Sequence, residues 1–119
     1  MHNGPAEQKS FAFAVRIVNL YRYLSRREKE YVISKQILKA GTSIGANLAE
    51  AEHAQSKADY CSKLSIALKE ADETRFWLRL LESAGYISHK QALSMLTDCI
   101  ELIKMLAASV KTLKENENK

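Results

Sequence analysis

The residues most open to chemistry are cations: Arg16, Arg22, Arg26, Arg27, Lys29, Lys35 and Lys39 cluster in the first third of the chain. Residues 1–50 hold 8 Lys/Arg against 4 Asp/Glu, whereas residues 51–119 hold 10 of each, so the first half carries the whole excess of +4. Guanidinium and ammonium groups meet phosphate oxygens, and Tyr23 among them offers a ring on which a base can stack. An acidic protein would satisfy the same cations, and a solvated helical face is charged as well. Nucleic acid, a protein partner and plain solvation therefore stay open as readings of this cluster.

Carboxylates and amides come next. Asn47, Glu50, Ser65 and Glu73, with Glu70 beside them, fall where the second and third helical segments should meet. Paired carboxylates can work as general acid and base, but only in a cleft with a raised pKa and a positioned partner. A hydrogen-bonded polar network that fixes helix register is the simpler expectation. The pentapeptide GTSIG at 41–45 lacks both the Lys-Ser/Thr ending and the preceding strand of a phosphate-binding loop, and no GxSxG nucleophile motif occurs. His2, His53 and His89 sit on separate segments, and Cys61 and Cys99 have no CxxC or Cys/His companion at ligand spacing. The pattern predicts no catalytic residue, no cofactor and no metal, with two reduced structural thiols; an enzyme is not expected.

These side chains must be carried on helices. From Ser10, Phe13, Ile17, Leu20 and Leu24 form one apolar stripe, with Ala14, Val18 and Tyr21 on an adjacent one. So wide an apolar arc suggests contact with another subunit as well as with the chain's own core. Phe13, Ile17, Leu20 and Leu24, together with Trp77, are the expected oligomer interface; since Phe76 and Trp77 are adjacent, one of them must point away from the core. Ser25 with Glu28, Ser56 with Asp59 and Ser88 with Gln91 each have the spacing of an N-terminal capping box, and Gly85 stands where a left-handed helix end is wanted. Four helices follow, within residues 10–114. Residues 1–9, with the only proline and no periodic pattern, read as flexible, and residues 115–119 as a frayed tail.

The segment Ser34–Glu52, SKQILKAGTSIGANLAEAE, organises the rest. Gly41, Gly45 and Ala49 recur every four residues, a strip where another backbone can approach closely. Each glycine costs about 1 kcal/mol of helix stability relative to alanine, which implies a packing partner. Ala67 and Ala71, the small residues at the centre of the third helix's seam, are the expected partners. Leu96, Cys99, Ile103, Leu106, Val110 and Leu113 give the last helix a near-heptad register. Short connections make neighbours antiparallel, so the expected fold is all-α, an up-and-down four-helix bundle.

The chain is 119 residues, 46% hydrophobic and 27% charged, the composition of a single globular domain. Its opening residues lack the basic start and apolar block of a secretory signal, and no apolar run reaches the roughly 18 residues of a spanning helix. A cytoplasmic protein with no membrane contact is expected.

The segments SFAFAVRIVNLYRYL and SKQILKAGTSIGANLAEAEHAQSKADYCSKLSIALKEADETRFWLRLLESAGYI resemble the four-helix proteins of the rRNA intervening-sequence family, often labelled ribosomal protein. The likeness covers about Ser10 to Leu113, and the TSIGANLAEA core is its most specific part. Gly45 stands where that family commonly has proline. The resemblance implies a bundle that assembles into a ring, typically a homopentamer. It also implies kinship with the accessory variability proteins of diversity-generating retroelements, which bind nucleic acid and a reverse transcriptase through a basic surface. RNA or DNA is thus the leading expected partner, with a protein-adaptor or purely structural assembly role as the alternative.

Overall fold

Several helix boundaries trace to local devices, a proline or a capping hydrogen bond. A computed structural model describes residues 4–117 and contains four helices: α1 Pro5–Arg26, α2 Ile33–Ala51, α3 Lys57–Ser83 and α4 His89–Glu117. Proline at the first position of α1 has its ring torsion preset for a helix and lacks an amide that would be orphaned there anyway. For that reason α1 starts at Pro5, and residues 5–9, expected to be flexible, are helical. At the other terminus α4 runs to Glu117, so 115–117 are helical too; residues 1–3 and 118–119 lie outside the described residues.

Two of the three expected capping boxes form. The Asp59 amide donates to Ser56 Oγ (3.0 Å), while the Asp59 carboxylate accepts from the Gln55 amide (3.1 Å). Ser88 and Gln91 cap reciprocally, at 3.1 and 2.8 Å. Gly85 adopts φ +85°, and the Tyr86 and Gly85 amides donate to the Leu81 and Glu82 carbonyls, closing the end of α3 as a Schellman motif. The third box does not form. Ser25 lies inside α1 and donates to the Tyr21 carbonyl (2.8 Å), and α2 is capped instead by Glu30. The Glu30 carboxylate accepts from the amides of Val32 (3.1 Å), Ile33 (2.9 Å) and Ser34 (2.6 Å). A glutamate one turn ahead of the helix reaches three orphaned donors at once, where Ser25 could reach one. The intervening turn places Lys29 at φ 56°.

Among the described residues the helix backbones approach one another closely in the cycle α1–α2–α3–α4–α1 and not across either diagonal, in a body 50 × 21 × 21 Å. Consecutive helices run in opposite directions: Arg16 and Lys9 on α1 reach Ser94 and Glu101 on α4 in reverse order, and Glu82 meets His89 near the α3–α4 turn. Inside lie Ile37, Ile44, Leu78, Leu81, Leu102 and Leu106, all 1% exposed or less. Phe13, Ile17 and Leu24 lie there too, at 1%, 0% and 0% exposure. The expected subunit interface on these three residues is therefore corrected: they are this subunit's own core. Leu20 and Trp77 are half-buried against that core, and Phe76 is the aromatic turned out, at 55% exposure, meeting Trp77 edge-on.

The glycine strip also has a different partner from the one expected. A Cβ on Gly41 would stand 2.6 Å from Ile17 Cγ1, and one on Gly45 3.4 Å from Ser10 Oγ, so both glycines face α1 and not Ala67 or Ala71. Ala67 and Ala71 are fully buried in the α3 seam, and the Ala71 carbonyl accepts from Cys99 Sγ (3.3 Å) on α4. Ala49 is exposed. An angular stripe on α2 can be covered by either neighbour, and here α1, presenting Ser10 and the branched Ile17, takes the close approach.

Candidate nucleic-acid interface

The 27–32 and 84–88 connections share one end of the bundle, and the basic cluster gathers there. Arg22, Arg26, Arg27 and Lys29 crown the C-terminal turn of α1, and Lys35 and Lys39 follow on α2. All six are exposed, and among the described residues none takes part in an ion pair. Two carboxylates lie in this stretch against the six cations. Glu30 is buried, its charge spent on three amides. Burial pushes its carboxyl up, but the amides of Ile33, Ser34 and Val32 outweigh that and hold it below the usual glutamate value. Glu28 accepts weakly from the Tyr23 hydroxyl at 3.4 Å.

Arg16 does not belong to this free set. Its guanidinium is clamped to α4, 2.7 Å from Asp98 Oδ2, 2.8 Å from Ser94 Oγ and 3.3 Å from the Ser94 carbonyl. The sequence-expected cluster of seven is thus six free cations and one helix clamp. The opposite end of the bundle is more balanced. Lys9 pairs with Glu101 and Asp98, chiefly Glu101, which holds its ammonium above the usual range, and Lys63 pairs with Glu50. There burial, and next a hydrogen bond with Glu52, raise the Glu7 carboxyl.

The expected polar network between α2 and α3 is not joined. The Asn47 amide donates to the Ser43 carbonyl on its own helix (2.8 Å), Glu50 pairs with Lys63, and Glu73 accepts from Trp77 Nε1 (3.1 Å). The Asn47 and Glu73 bonds stay within their own helices, the Glu50–Lys63 pair bridges α2 and α3 by itself, and Ser65 is half-buried apart from them. Among the described residues no group of three His, Cys, Asp or Glu side chains could hold a metal ion.

Two features escaped the sequence reading. On the outer face of α1 and α2, Phe11 (72% exposed) flanks a groove of about 650 Å³ whose wall includes Ala14, Gly45, Ala46 and Ala49, and Val15 is exposed one turn further along α1. Phe11, Val15 and Val18 recur at four- and three-residue steps, a second stripe that the periodicity contains but that the buried stripe masks. The other feature is a groove of about 470 Å³ between α1 and α4 at the basic end, bordered by Tyr23 and Lys90. Residues 67 positions apart in the chain meet there, so no local pattern announces it.

Residues 5–108 match the 23S rRNA-intervening sequence protein family. The chain belongs to that family. A solved family structure agrees: a protein described as of unknown function from the S23 ribosomal protein family of Bacteroides thetaiotaomicron is 55% identical, superposes with a TM-score of 0.88, and is matched over 89% of this chain and 98% of its own. No curated protein matches. Among the described residues of this family member, no helix is long and apolar enough to cross a membrane.

Proposed function

We propose that this family member is a non-enzymatic, self-assembling four-helix protein of the cytoplasm that binds RNA or DNA through its basic end. The observation that carries the reading is the set of six exposed cations, Arg22, Arg26, Arg27, Lys29, Lys35 and Lys39, gathered at one end with no carboxylate paired to them among the described residues. Unneutralised surface cations condense on phosphate and release counterions, which makes binding favourable and salt-dependent. The resemblance to ring-forming relatives, and to nucleic-acid-binding retroelement accessory proteins, supports both assembly and partner. In a homopentameric ring each basic end is repeated around the assembly, and weak contacts sum.

A second reading, a protein adaptor or structural assembly unit without a nucleic-acid role, is favoured by the outer groove of α1 and α2, which is lined mainly by small and apolar side chains with Glu7 among them. Phe11 beside Ala46 and Ala49 makes a surface suited to another helix pair, and in the first reading this same face joins the copies. Light scattering of the purified protein together with titration of labelled RNA at several salt concentrations separates the readings. Arg22→Glu/Arg26→Glu/Arg27→Glu should abolish RNA retention and leave assembly intact, whereas Phe11→Glu should reduce the assembly to monomers. Wild-type protein with no salt-dependent retention of RNA or DNA would overturn the nucleic-acid reading, and a monomeric wild type would overturn the ring.

A further inference from the structure

The groove between α1 and α4 differs in kind from the rest of the basic end. Leu20 and Met95 form an apolar floor, the Tyr23 ring borders it, and Asn19, Gln91 and Lys90 stand at its rim. Of the carboxylates nearby, Asp98 is neutralised by Arg16 and Lys9, and none lines the groove. The Gln91 side-chain oxygen caps the Ser88 amide, which leaves its NH2 to donate outward. Asn19 is exposed and makes no bond to another described side chain. Lys90 lies in the first turn of α4, where the helix dipole adds positive potential.

We propose that this groove seats one unpaired nucleotide of a bound strand, its base on Leu20 and Met95 against Tyr23, its edge met by Asn19 and Gln91, and its phosphate at Lys90. The chemistry selects this ligand in three ways. An apolar floor of about 470 Å³ beside a tyrosine suits a flat aromatic group. Side-chain amides present both donors and acceptors, as a base edge does. A lysine at a helix start suits an anion attached to that group. A duplex buries its base faces in its own stack and cannot enter, so the groove adds a preference for single strands to the general attraction of the free cations.

The inference rests on the nucleic-acid reading above, and the test keeps the two apart. Full-length protein is titrated with a fluorescein-labelled single-stranded RNA and with a blunt RNA duplex of the same length, for wild type and for Asn19→Leu. That variant changes no charge and lies on the surface of α1, and its melting curve checks that the fold is kept. Wild type is expected to favour the single strand, Asn19→Leu to weaken single-strand binding roughly tenfold with duplex binding unchanged, and ultraviolet crosslinking to attach the strand at Tyr23. If both RNAs bind with strong salt dependence but Asn19→Leu behaves as wild type and crosslinks fall outside the groove, the nucleotide seat is refuted while the basic end stands. If neither RNA binds, the nucleic-acid reading fails and takes the seat with it.

Discussion

Alanine should be destabilising at one of the two helix glycines of α2 and tolerated at the other. At Gly41 the new methyl would meet Ile17 three times over, at 2.6 Å from Cγ1, 2.8 Å from Cδ1 and 2.9 Å from Cγ2. Ile17 cannot swing aside, because it is fully buried and a β-branched side chain on a helix has essentially one χ1 setting. Overpacking of this kind costs about 1–3 kcal/mol, against about 1 kcal/mol gained from alanine's better helix propensity. Three contacts under 3.0 Å put Gly41→Ala in the upper part of the overpacking range, about 2–3 kcal/mol, so the net loss should be about 1–2 kcal/mol, which lowers the melting temperature by roughly 4–8 °C in a domain of this size. At Gly45 the same methyl sits 3.4 Å from Ser10 Oγ and 3.5 Å from its carbonyl oxygen, close to ordinary contact, so most of the propensity gain survives. Gly45→Ala should leave the melting temperature unchanged or raise it by up to about 4 °C. Thermal melts by circular dichroism, at one protein concentration because assembly would couple to the midpoint, measure both. The steric origin is isolated by Ile17→Ala, which deletes all three clashing atoms: in that background Gly41→Ala should cost far less than in wild type. A Gly41→Ala protein melting at or above wild type, or the same penalty in both backgrounds, would refute the close approach of α1 to α2.

Other consequences follow from single residues. Glu30→Ala orphans three amides at the start of α2 and should cost about 1–2 kcal/mol in urea denaturation. Because the folded Glu30 carboxyl titrates below its unfolded value, its contribution is complete above the ordinary glutamate pKa and fades as the pH falls through the folded one. Wild type should accordingly lose stability on acidification more steeply than Glu30→Gln; parallel acid titrations of the two would count against the cap. Gly85→Ala meets no atom within 4 Å but forces alanine to φ +85°, so it should cost about 1 kcal/mol with no change in assembly. Burial pushes the Cys99 thiol up to about 12, with Arg75 opposing and Asp72 adding to the shift. Native protein should therefore leave Cys99 unmodified by a thiol reagent at neutral pH, with labelling appearing only on unfolding; fast native labelling mapped to Cys99 would contradict its burial.

Some of this molecule was legible in the order of its residues because the forces concerned act over a turn or two. Ser56 with Asp59, Ser88 with Gln91 and Gly85 mark helix ends because capping bonds span three or four positions, and the α3 seam from Leu64 to Leu81 is periodic because one face of a helix is buried. Ser25 and Glu28 imitated such a signal, and only the fold showed that Glu30 reaches more of the orphaned amides. Tertiary packing alone decided the rest. A stripe specifies an angle around its own helix, while each helix in the four-membered cycle has two neighbours that can cover it. Hence the strip at Gly41 and Gly45 met Ser10 and Ile17 on α1 where Ala67 and Ala71 were expected, and Phe13, Ile17 and Leu24 turned inward and left Phe11 and Val15 outside. The same packing bound Arg16 to Asp98 and freed the other six cations, and it set Tyr23 beside Lys90 across a groove, because antiparallel helices bring together side chains that the sequence holds far apart.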